Sequence, residues 1–216
     1  MNLRDALGRV AELRAKILES QKFRGYSGRA RAIGGCAALI GGLVLRLVPE
    51  GGRHVAIPVV WGAVFVVAFT LNYGAVLHWW WNLSGDERSR SAVAPALENL
   101  PVFVVGGLLT AHLLAYGPLA ALPGMWAAVF ALTHFTAKYA LPRGMRLVGW
   151  WYVGAGAVLL LKQEATLAEP MLPALVFFLG EWAGGWLLFR AHHSGGVLAF
   201  LFGARPPARD AELEID

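Results

Sequence analysis

"VAIPVVWGAVFVVAFTLNYGAVLHWWW" runs from Val55 to Trp81 without one Asp, Glu, Lys or Arg. It is longer than the ~20 residues an α-helix needs to cross a bilayer, so it reads as a membrane span. Five further apolar stretches flank it: Ile33–Val48, Pro95–Tyr116, Leu122–Leu141, Leu147–Leu161 and Met171–Phe189. The first of these and Leu147–Leu161 are short by the same measure and draw on flanking residues to cross. Of the 216 residues, 57% are hydrophobic and 15% charged, too little charge to cover the surface of a soluble domain. The connections are too brief for an intervening soluble domain. The sequence therefore predicts an all-α, polytopic membrane protein. Residues 32–191 form a six-transmembrane-helix bundle, residues 1–31 a cytoplasmic amphipathic helix with a basic linker, and residues 192–216 a cytoplasmic tail.

Orientation follows from the basic residues. All but Arg46, Arg53 and Lys162 of the 19 lysines and arginines fall on one side of that six-span layout. The positive-inside rule makes that side the cytoplasm and puts both termini there, in a bacterial inner membrane. Anionic headgroups attract the same charges, so the basic balance calls for a lipid bilayer as partner and for no nucleic acid. "HWWWN" (His78–Asn82) and "GWWY" (Gly149–Tyr152) land at the inner interface as aromatic belts.

The N-terminal stretch carries Leu3, Ala6, Leu7, Val10, Leu13, Ile17 and Leu18 on a helical stripe. Such a helix lies on the inner leaflet or binds a protein partner. A glycine-broken basic linker, "KFRGYSGRARA" (Lys22–Ala32), leads into the first span. Gly34, Ala38 and Gly42, and likewise Gly180 and Gly184, recur every four residues. Small residues so spaced bring helix backbones close, within the bundle or in a homo-oligomer. Near the C-terminus, Val197–Phe202 is apolar but too short to cross. The single cysteine, Cys36, excludes a disulfide framework and a Cys-based zinc site.

Ionisable and amide side chains inside spans are costly, and so they are the functional pointers. Asn72, His78, Glu98, Asn99, His134, Lys138 and Glu181 all fall in the cytoplasmic half, and together they are the candidate ligand-binding residues of an inward-facing polar pocket. Glu98 and Asn99 either hold a ligand or mark the start of a helix. Equal depth pairs Glu181 with His134 at the pocket floor, with Glu98 and Lys138 nearer its mouth. On that pairing Glu181→Gln is structurally tolerated. No H-x-x-x-H or E-x-x-H spacing joins His134, Glu181 and Glu98, so no metal is expected.

Two resemblances bear on function. "ERSRSAVAPALENLPVF" (Glu87–Phe103) with "THFTAKYALPRGMRLVGWW" (Thr133–Trp151) resembles the membrane-associated proteins in eicosanoid and glutathione metabolism, over spans two to five. In that family an Arg-Ala-His-x-Asn-x-x-Glu run helps hold glutathione. The matching positions here run from Ser91 to Glu98 and keep only Ala92 and Glu98. Of the family's Arg-x-x-His-x-x-x-Tyr pattern, at Leu132, Phe135 and Tyr139, only the tyrosine is kept. A thiolate needs cationic or hydrogen-bonding neighbours, and Arg146 is the one substitute in view. The whole chain resembles a group of uncharacterised bacterial six-span inner-membrane proteins, through "ESQKFRGYSGRARAIGG" (Glu19–Gly35), "LPGMWAAVFALTHFTAKYALPRGMRLVGWW" (Leu122–Trp151) and "FFLGEWAGGWLLFRAHHSGG" (Phe177–Gly196). That resemblance implies the fold and the location, and no activity.

No nucleophile–base pair, phosphate loop or metal motif is present. The expectation is a non-enzymatic membrane component that binds a protein partner or a small hydrophobic ligand, without a cofactor. A degenerate glutathione-dependent transferase, with glutathione as its cofactor, and a small-molecule transporter are the alternatives.

Overall fold

The computed structural model describes residues 25–84, 88, 90–136, 140–163, 169–193 and 196–202. The predicted N-terminal amphipathic helix, Lys138, Tyr139 and residues 203–216 of the predicted C-terminal tail lie outside the described residues. Every element among the described residues is helical. Five segments are long and apolar enough to cross a membrane: Gly28–Leu47, Glu50–Trp81, Val93–Tyr116, Leu119–Thr136 and Met171–Ala191. These are the marks of a membrane-embedded protein. The sixth predicted span is the shorter helix Met145–Leu161. Its 17 residues rise roughly 25 Å, less than the ~30 Å hydrocarbon core.

Helix α1 (Gly28–Leu47) begins five residues before the apolar stretch does, because Ser27 caps it. The Ser27 hydroxyl accepts from the Ala30 N–H at 3.2 Å, satisfying one of the free donors of the first turn. Arg31 therefore sits inside the helix and not in a linker. After the turn at Pro49, α2 (Glu50–Trp81) runs 32 residues, or about 48 Å, well beyond a membrane core. Only Ile57 and Val76 of α2 are buried.

The third predicted span is broken. Helix α3 (Arg90–Leu97) stops, Glu98 and Asn99 form a turn, and α4 (Leu100–Tyr116) resumes. Pro101 accounts for the break: it has no N–H for the carbonyl of Leu97, and its ring crowds that carbonyl, whereas the first turn of α4 accommodates it. A 3₁₀ turn (Leu119–Ala121) leads into α5 (Leu122–Thr136). Then follow α6 (Met145–Leu161), α7 (Met171–His192) and the short α8 (Val197–Phe202).

The core lies where α1, α5, α6 and α7 meet, around Ala131, Met145, Tyr152, Phe177 and Leu188. The most extensive packing is α1 on α7, followed by α6 on α5 and α2 on α1. The α1–α7 contact is made by glycines. A Cβ on Gly28 would collide with the Gly185 carbonyl, and one on Gly185 with that of Gly28. Gly42 likewise faces Ala174, while Gly34 faces Ala68 of α2. The small-residue stripes thus serve packing within the bundle, where dispersion between close backbones replaces the hydrophobic drive that lipid cannot supply.

Tyr152 corrects the aromatic-belt reading of "GWWY". Trp150 is exposed as a belt residue should be, but Tyr152 is fully buried in the core. Val197–Phe202 is a helix that docks Phe200 against Trp182, Trp186 and Phe189. Arg29 fastens it by donating to the Ala199 carbonyl at 2.7 Å and the Phe200 carbonyl at 3.0 Å, groups left free at the helix C-terminus.

Candidate functional site

A partly open cavity of about 260 Å³ runs between α1, α2, α4, α5 and α7. Aromatic rings of Trp61, Phe65, Phe69, Phe103, Trp126 and Phe130 form much of its wall. They interlock: Phe65 lies 4.9 Å from Trp126 and Phe69 stacks on Tyr73 at 4.3 Å, centroid to centroid. Where α2 faces α4, Phe103 meets both Phe69 and Tyr73 edge-on. Thr110 is held in the wall by a 3.0 Å bond from the Trp126 indole N–H.

Four of the seven candidate residues line this cavity: Asn72, Asn99, His134 and Glu181. His78 is in the last turn of α2, exposed and bonded to Asn82, and is not among the lining residues. Glu98 is exposed at the α3–α4 break and also lies outside the lining. Asn99 is buried there, and its role is to join segments. Its amide donates to the Tyr26 hydroxyl at 3.1 Å, and its oxygen accepts from Thr136 at 2.9 Å. The Tyr26 hydroxyl reaches the Pro95 carbonyl at 3.4 Å. This second polar centre ties the entry of α1 to the break and to the end of α5. Burial pushes the Tyr26 phenol above its ordinary value, so it acts as a neutral hydrogen-bonding group.

His134 and Glu181 come together, but not by touching. Arg31 stands between them. Its Nη2 lies 2.6 Å from His134 Nε2 and 2.9 Å from Glu181 Oε1, and its Nε lies 2.9 Å from Glu181 Oε2 in ion-pair contact without an aligned hydrogen bond. Tyr152 donates its hydroxyl to Glu181 Oε1 at 2.7 Å. The contacts fix the histidine tautomer. Nδ1 lies 2.6 Å from the Phe130 carbonyl, which can only accept, so Nδ1 carries the proton. A guanidinium can only donate, so Nε2 is the acceptor and the ring is neutral. The four side chains thus form a closed assembly of one cation, one anion and two neutral groups.

Glycines make room for it. Gly180 and Gly184 flank Glu181 on α7. A Cβ on Gly180 would lie 2.5 Å from the Tyr152 hydroxyl oxygen, and one on Gly184 would lie 2.8 Å from Arg31 Nε. Sequence reasoning missed Arg31, Tyr152 and Tyr26. A signal for Arg31 was present: it stands three residues before Gly34 and seven before Ala38, on the face of the small-residue stripe, and Ser27 caps the helix one turn earlier.

Asn72 is the amide left with spare capacity. Its Nδ2 donates to the Ala68 carbonyl at 2.9 Å, one turn back on α2, while Oδ1 has no partner among the described residues.

Glu98 and Arg146 are both exposed, and no hydrogen bond or ion pair joins them among the described residues. No group of three or more His, Cys, Asp or Glu side chains converges among the described residues. Comparison with protein-family models, curated proteins and solved structures returns no match.

Proposed function

We propose that the protein is an inner-membrane bundle of six crossings with cytoplasmic termini, and that it acts without catalysis by holding a small hydrophobic ligand inside the bundle. The observation that carries this reading is the aromatic-walled cavity with polar groups at one end. At about 260 Å³ it is close to the lower end of small-molecule sites, which occupy about 300–1,000 Å³ and are mostly apolar with a few placed polar groups. The inner-side concentration of Lys and Arg supports the orientation. A sixth crossing by α6 is supported by its packing along α5, which shields its length from the need to match the bilayer alone.

The test is saturable occupancy. The protein in lipid nanodiscs is irradiated with an apolar diazirine photoprobe, and labelled peptides are mapped. Labelling of Phe103, Trp126 and Phe130 should saturate and be competed by excess unlabelled probe. Labelling that rises linearly and is no stronger there than at outward-facing Val104 and Leu108 would mean lipid solvation alone.

A further inference from the structure

Resting on that reading, the identity of the occupant can be narrowed by charge, shape and spare hydrogen bonds. Charge comes first. Among the described residues Arg31 is the cation lining the cavity, and it is already matched by Glu181. A ligand charged with either sign would bring this matched pair a further charge with no counter-ion among the described lining residues. Burying a charge unpaired is costly. His134 offers no charge, since both of its ring nitrogens are committed in the neutral form.

Shape comes next. Asn72 and Pro58 both line the cavity from α2, and the rise between them is about 21 Å at about 1.5 Å per residue. A cavity of about 260 Å³ falls short of the ~300–1,000 Å³ of ordinary small-molecule sites, which suits one short chain better than a two-chain lipid.

Hydrogen bonding completes the picture. Tyr26, Asn99 and Thr136 are engaged with one another, and the Tyr73 hydroxyl donates to the Ala96 carbonyl at 3.3 Å. Asn72 keeps a carbonyl oxygen and one N–H to offer, and it lines the cavity together with Gly34 of α1. A hydroxyl or carbonyl head satisfies such an amide without bringing charge.

We infer that the cavity takes a neutral single-chain amphiphile, its body among Trp61, Phe65, Phe103 and Trp126 and its uncharged hydroxyl or carbonyl head on Asn72. The test uses four decyl photoprobes in phosphatidylcholine nanodiscs: decanol, decyl methyl sulfone, decanesulfonate and decyltrimethylammonium. The sulfone matches the bulk of the sulfonate without its charge. The two neutral probes should half-saturate cavity labelling at concentrations at least about tenfold below the two charged ones. Asn72→Leu should weaken decanol labelling several-fold and leave the thermal unfolding profile near wild type. Equal or stronger labelling by either charged probe on the wild-type protein overturns the inference while leaving the binding site standing. Decanol labelling unaffected by a folded Asn72→Leu variant removes Asn72 from the role. Absence of saturable labelling by all four probes defeats the binding reading itself.

Discussion

Replacing Glu181 by glutamine changes little in volume and should nonetheless be among the costliest single changes in the membrane domain. On a direct His134–Glu181 pair the substitution would be tolerated. With Arg31 between them it leaves a buried guanidinium facing a neutral amide. Removing one partner of a buried pair costs about 3–5 kcal/mol, and glutamine, which can still accept one bond at Oε1, belongs near the lower value. For a chain of this size each kcal/mol moves Tm by about 2–4 °C, so the expected fall is about 6–12 °C. The assay is thermal unfolding of purified protein in detergent, followed by near-UV circular dichroism at fixed protein and detergent concentration. Arg31→Met should fall similarly, because it strands the carboxylate with Tyr152 alone. The double variant Arg31→Met with Glu181→Met strands no charge, only the neutral Tyr152 hydroxyl and His134 Nε2, and should lose clearly less than the sum of the single losses, since apolar groups of similar volume often replace a buried pair at little cost. A Glu181→Gln protein within about 2 °C of wild type, or a double variant whose loss equals the sum of the single losses, would refute the reasoning.

Two further outcomes are expected. Gly180→Val should drive the Tyr152 ring off Glu181 and cost about 1–3 kcal/mol as overpacking, whereas Gly154→Val, on α6 with open space around it, should change stability far less in the same unfolding assay. A cytoplasm-dependent reporter fused after Asp216 should be active and the same reporter in the Gly117–Pro118 turn inactive; an inactive C-terminal fusion would mean that α6 does not cross.

Much of the architecture was legible because apolar length is a strong signal: a run such as Val55–Trp81 permits little else in water-free surroundings. Helix ends were less legible. Apolarity marked the start of α1 at Ile33, whereas the backbone obeys the cap at Ser27, and that difference hid Arg31 among the linker charges. The break before α4 was written in Pro101, but the apolar run across it outweighed one proline. In the site, hydropathy singled out Glu181, His134, Asn72 and Asn99 because polar groups are rare in spans. It could not choose between the two faces of the aromatic "GWWY" segment, and so Tyr152, whose ring favours an interface and a core alike, was assigned to the wrong one. His78 and Glu98 share the depth of the cavity but not its direction. Depth is read from position along a helix; direction depends on how each helix is rotated against its neighbours.

The separation of Arg31 and Glu181 by 150 residues also has a meaning in time. The cation emerges with the first helix and its counter-ion with the last long one. At about 5–20 residues per second, synthesis leaves Arg31 without Glu181 for roughly 8–30 s. Placement in the first turn of α1 suits that wait, since a long side chain near a membrane face can extend toward water and headgroups. The α7 glycines let that helix close against α1 backbone to backbone, which sets Glu181 beside the arginine. The ion pair is in this sense a completion mark: a chain cut short before residue 181 keeps the Arg31 charge without its counter-ion, with only the neutral His134 to receive it.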